Sequence, residues 1–213
     1  MFINLGQADL RCFHVDTIIH AACRALVFGM LGALRFALAQ PNLVRSMVLY
    51  EPVVFGLLDG RDESAALWQE ITQTGRMIVH HAQMRRPLAA GKSFVDYWSG
   101  PGRWLALGAA KQSAIALRMP AVASHFSAIF GWQPREALRD LQVPTLLVHG
   151  ERTRRVTQAI IAQLAETLPQ VIQVRVQGAG HMGPVTHADA VNAAVLRFLQ
   201  PAEVAVPELA LAA

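Results

Sequence analysis

Cysteine is almost missing from this 213-residue chain, Cys12 and Cys23 being the only two. Two thiols cannot staple a chain of this size, so a disulfide framework is excluded and the expected compartment is the cytoplasm. Lysine is as scarce: of the 19 basic residues all but Lys92 and Lys111 are arginine, and the formal net charge is only +4. Arg85 with Arg86, and Arg152 with Arg154 and Arg155, are the basic clusters, and neither is interleaved with the aromatics that a single-strand binder needs. Both read as solvated faces, with no nucleic acid as partner. Long apolar runs are missing too. The longest, residues 25–34, is closed by Arg35 and falls well short of the roughly 20 residues that span a bilayer. The amino terminus shows no charged stretch leading into an apolar one, so no export signal is expected. Cys12, His14, His20 and Cys23 lack the close Cys pairs of a zinc site and read as ordinary thiols and imidazoles, so no metal is expected.

What the chain does have is apolar bulk. It is 53% hydrophobic and 16% charged, enough to offset the entropy of ordering, and its length fits one domain. Residues 31–40 have helical periodicity and stop at Pro41, and 46–50 (SMVLY) read as a short buried strand ended by Glu51-Pro52. The pattern returns later, with a strand at 145–149 (TLLVH), a helix over 157–167, a strand at 171–176 (VIQVRV), a Gly-rich turn at 178–180 and a closing helix over 188–199. Alternating helix and strand imply parallel pairing in an α/β fold. Residues 53–141 hold helical patterns at 65–80 and 111–128 and no convincing strand, so a helical insertion is expected there. Residues 201–213 read as a frayed tail.

Residues 177–187, QGAGHMGPVTH, concentrate the chemistry. A strand followed by Gly-x-Gly-His sets an imidazole on a tight loop at the carboxyl edge of a parallel sheet, where ligands bind and where a near-neutral base is useful. Together with LRFALAQPNLVRSMVLYEPVVF (34–55), VPTLLVHG (143–150) and FVDYWSGPGRW (94–104), this stretch closely resembles the carboxyl half of the α/β-hydrolase family, with 94–104 similar to the helical cap of one bacterial branch. The resemblance implies a parallel sheet flanked by helices, formed by 28–52 and 142–200, with a helical cap over 53–141. It implies hydrolysis of an ester, lactone or similar small carbonyl compound by a Ser-His-acid triad without a dissociable cofactor. It makes His181 the base and places the backbone of Phe28 in the oxyanion site. Two carboxylates compete as the acid: Glu51, after the strand that follows the elbow helix, is preferred over Glu151, after the next strand. Trp98 and Trp104 in the cap are candidate pocket walls. The remaining pair, His80 and His81, points to opposite sides of any regular element and reads as packing.

The chain also departs from the family. Counting back from the helix, the Gly-x-Ser-x-Gly elbow falls on Ala25-Leu26-Val27-Phe28-Gly29, so Val27 occupies the nucleophile's position. Valine has no nucleophilic atom, and its branched Cβ suits a strained elbow poorly, which excludes acyl-enzyme chemistry by this route. Residues 1–27 do not resemble the family and leave too little chain for the strands that should precede the elbow. Codons for residues 22–26 such as GCT TGT CGG GCA TTA, read one base later, give Leu-Val-Gly-His, the approach the family shows to its nucleophile. A shifted or foreign reading frame before Phe28 is therefore expected, and with it an unpaired sheet edge able to pair two copies of the chain. The sequence thus supports an impaired hydrolase, a pseudo-enzyme that binds an apolar ligand or partner through its cap, or a truncated product.

Overall fold

The computed structural model describes residues 23–26 and 29–200, with side chains from Gly32 onward apart from that of Ser127. Four short strands form one sheet in the order of the chain: β1 (Cys23–Leu26), β2 (Met47–Tyr50), β3 (Thr145–Gly150) and β4 (Val171–Val176). Every pairing is parallel, with Leu26 beside Tyr50, Tyr50 beside Val148 and Gly150 beside Val176 at the carboxyl ends. The strands expected at 46–50, 145–149 and 171–176 are present to within a residue at each end. The segment before the elbow position differs from expectation. No regular element is expected within residues 1–27, yet Cys23–Leu26 pairs in register with β2 along its whole length. Four residues are too few to show a period, and it is this pairing that makes the segment a strand.

Side chains alternate between the faces of the sheet, as the pleat requires. Met47 and Leu49 of β2 and Leu147 of β3 join Leu34 and Ala37 of α1 (Gly29–Ala39) and Ile160, Ile161 and Leu164 of α7 (Arg155–Thr167) in the larger core. Val48 and Tyr50 with Leu146, Val148 and Val176 face the other way and pack under Val191 of α8 (Ala188–Leu199). With both faces covered, β2 has no exposed position, so its sequence MVLY shows no polar alternation.

Between β2 and β3 the chain is helical: α2 (Ala65–Gln83), α3 (Pro87–Ser99), α4 (Ala109–Ala116), α5 (Met119–Phe130) and α6 (Arg135–Arg139). Ile71, Thr74, Gly75 and Ile78 form the buried stripe of α2 at helical spacing, and Gly75 leaves room for the ring of Phe130. The helix expected over 111–128 is two helices, α4 and α5. The chain breaks at Leu117 and Arg118, and Pro120 opens the second helix, where its missing N–H is no loss. No single helix among the described residues is long and apolar enough to cross a membrane.

Candidate active site

Parallel strands put all their carboxyl ends on one edge of the sheet, and that edge gathers the segments singled out in the sequence. Glu51 directly follows β2, its backbone N–H bonded to the carbonyl of Val148 at 2.9 Å, and it holds a left-handed φ of 47°. That conformation is uncommon for a side chain with a Cβ, and here it turns the carboxylate inward to full burial. Its Oε1 accepts the N–H of Gly150 at 2.9 Å, and its Oε2 lies 2.8 Å from Nδ1 of His181. Because a carboxylate only accepts, Nδ1 carries the proton of this contact, and in the neutral imidazole Nε2 then keeps its lone pair, the tautomer a general base requires.

His181 is held as firmly from its backbone. Its loop follows β4, with Gly178 in the left-handed region at φ 70°. Tyr50, the residue before Glu51, donates its hydroxyl to the carbonyl of Gly180 at 2.6 Å. Burial, and then the neighbouring Glu51 carboxylate, push the Tyr50 phenol well above its ordinary range, so it stays a donor. A Cβ on Gly183 would run into that hydroxyl, and one on Gly150 into the carbonyl of Ala179. These are the close approaches that the glycines of VHG and GHMG permit. The imidazole itself is nearly sealed, its side chain 7% exposed, with Trp98 of α3 stacked on it at 4.5 Å between ring centroids and 25° between planes.

The other named positions fall elsewhere. Glu151 is on the surface, its Oε2 accepting the N–H of Gly178 at 2.9 Å. Trp104, grouped with Trp98 as a pocket wall, lays its ring against Gly91 inside the helical segment, and its backbone N–H donates to Asp96 Oδ1 at 2.8 Å. The FVDYWSGPGRW stretch therefore divides its labour. Asp96 and Trp104 close the turn through Gly100 and Gly102, both at positive φ, while Trp98 reaches the site. Val27 and Phe28 lie outside the described residues, as do Cys12, His14 and His20. The strand leading to Val27, β1, ends at Leu26 on the same edge of the sheet as Glu51.

Sequence reasoning missed Thr153 and Arg154. Thr153 is 7% exposed and its hydroxyl has no partner among the described residues. Arg154, read as part of a solvated face, in fact bonds to α2 and α3. Their one sequence signal is position, in the loop after β3 at the ligand-binding edge. Among the described residues no three His, Cys, Asp or Glu side chains cluster to hold a metal ion.

Comparison with known proteins agrees with this architecture. No curated protein matches the chain by sequence. Solved structures with the same fold include an enol-lactonase from Burkholderia xenovorans LB400, 19% identical with a TM-score of 0.63 over 86% of this chain and 66% of that one. A bromoperoxidase from Bacillus anthracis is 18% identical with a TM-score of 0.63 over 83% of this chain and 66% of that one. The 2-hydroxy-6-oxo-6-phenylhexa-2,4-dienoate hydrolase of Rhodococcus sp. strain RHA1 is 16% identical with a TM-score of 0.55 over 85% and 64%. The chain thus spans slightly less than two thirds of each of these proteins. At such identities the likeness is one of fold. The family model described as the alpha/beta hydrolase fold matches residues 28–188, most of the sequence, and the chain belongs to that family.

Proposed function

We propose that this chain carries the acid–base and cap portion of a hydrolase acting on esters, lactones or similar small, apolar carbonyl compounds, with His181 as general base and Glu51 as the acid that orients it. The observation that carries the reading is the sealed Glu51–His181 contact at 2.8 Å, with the second carboxylate oxygen held by the N–H of Gly150. Such an arrangement fixes the imidazole tautomer and stabilises the imidazolium formed when the base takes a proton. The enol-lactonase and the phenylhexadienoate hydrolase with this fold support a carbonyl substrate, and the aromatic surroundings of His181 support an apolar one.

As it stands the chain binds such compounds without acyl-enzyme turnover, because Val27 occupies the nucleophile's position. In a serine hydrolase, loss of the nucleophile alone costs on the order of a million-fold in turnover. The test pairs p-nitrophenyl butyrate hydrolysis with δ-valerolactone binding followed by tryptophan fluorescence. Turnover should equal that of a His181→Ala control, while the lactone should change the fluorescence saturably and lose that effect in Trp98→Leu. Turnover that depends on His181 would overturn the missing-nucleophile reading. Neither binding nor turnover would sink the whole proposal.

A further inference from the structure

The loop after β3 grips the site from two sides. At one end the N–H of Arg152 bonds to the carbonyl of Ala179, in the loop that carries His181, at 2.8 Å. At the other end Arg154, immediately before α7, donates from Nη1 to the carbonyl of Tyr97 at 2.6 Å and from Nη2 to Oε1 of Glu70 at 3.1 Å. The guanidinium carbon lies over the Tyr97 ring, 3.9 Å from its centroid, and the Tyr97 hydroxyl donates to the same Glu70 oxygen at 2.9 Å. One side chain from the sheet edge therefore fastens α2 and α3 together and to the core. The next residue along α3 is Trp98. Its ring meets Tyr97 edge-on at 4.9 Å on one side and lies stacked on His181 on the other.

A hydrogen bond at Nδ1 anchors one atom of an imidazole but leaves the ring free to tilt about the axis of that bond. A flat neighbour on its face removes the tilt. We propose that Arg154 is a positioning residue: by locking α3 to the loop after β3 it presses Trp98 onto His181 and so sets the plane in which Nε2 meets a substrate. This rests on the reading of His181 as base, but its physical content is the order of one ring, which can be observed without catalysis. A planar, forked cation suits the task, since it stacks on the phenol ring while donating to two acceptors at once; an ammonium offers no such plane.

The measurement is the proton spectrum of ring-labelled histidine in the whole chain. A stacked indole shifts the Cε1 and Cδ2 protons of His181 upfield, and Trp98→Leu identifies that shift by abolishing it. Arg154→Met should move both resonances most of the way to their positions in Trp98→Leu, and Arg154→Lys should restore them only in part. Tyr97→Phe, which keeps the ring and the carbonyl, should leave them nearly in place. Should Arg154→Met fail to fold, Glu70→Ala, a half-exposed site, carries the same test with a smaller shift in the same direction. Ring resonances that stay upfield in a folded Arg154 or Glu70 variant, even one with a lower melting temperature, would overturn the proposal and leave Arg154 a stabilising contact only. Esterase assays play no part, so a chain without turnover still decides the matter, and failure of the hydrolase reading would leave the ring shifts unaffected.

Discussion

The carboxyl edge of the sheet holds two acid–base contacts of similar length in opposite surroundings. Glu51 and His181 meet at 2.8 Å with side chains 0% and 7% exposed, whereas Glu70 and Arg154 meet at 3.1 Å with side chains 41% and 37% exposed. The buried pair cannot exchange its partners for water, so each remaining donor is costly once its acceptor is gone. The exposed pair can, and such pairs contribute about 0–1 kcal/mol. The small difference in distance therefore understates the difference between these contacts, which burial sets. The first is a fixed part of the core and the second is an adjustable fastening of the helical segment to it.

The sharpest way to break this contrast is Glu51→Ala, which strands both the Gly150 N–H and the His181 Nδ1–H. A loss of about 3 kcal/mol is expected in urea unfolding, at roughly 1–3 kcal/mol per buried unpaired donor. Glu51→Gln should cost less and do something more specific. The amide oxygen must stay with the Gly150 N–H, so the amide nitrogen faces Nδ1 and drives the ring proton to Nε2, a change visible in imidazole ¹⁵N shifts. Gly150→Ala should follow at about 2 kcal/mol, because its Cβ meets the backbone of Ala179 and nothing flexible is there to yield. Arg154→Met should cost about 1 kcal/mol, and the difference should shrink at about 1 M salt while that of Glu51→Ala persists. Equal salt sensitivity in the two would erase the distinction. The smallest effect belongs between the two contacts: Thr153→Val removes a buried hydroxyl without a partner among the described residues and should gain up to about 1 kcal/mol in the same unfolding assay.

How much of this was legible beforehand follows the range over which each feature is determined. β2 and β3 are apolar runs and β4 an alternating one, each followed by turn residues; Glu51 stands one step past β2 and His181 one step past the Gly-rich turn after β4, so their meeting across 130 residues could be anticipated. The strand β1 could not, because its partner rather than its own pattern defines it. Trp98 and Trp104 share one motif, and only the turn at Gly100 and Gly102 decides that the first faces His181 while the second faces Gly91. The Arg154–Glu70 contact joins positions 84 apart, one in the loop after β3 and one in a helical segment whose packing angles no local pattern encodes. Arginine on a loop reads as solvated until the helices it touches are placed.

Tyr50 and Glu51 are consecutive, and both end on the same short loop: one on the carbonyl of Gly180, the other on the ring of His181. That loop therefore cannot open by itself. Releasing it requires withdrawing the end of β2, a strand buried at every position, so in amide hydrogen exchange the Gly150 N–H under the Glu51 carboxylate belongs with the slowest protons of the sheet. Helices α2 and α3, tied down at half-exposed Arg154, belong to a faster class that exchanges through partial opening. Warming the protein would then loosen Trp98 from the imidazole well before it disturbed the imidazole itself.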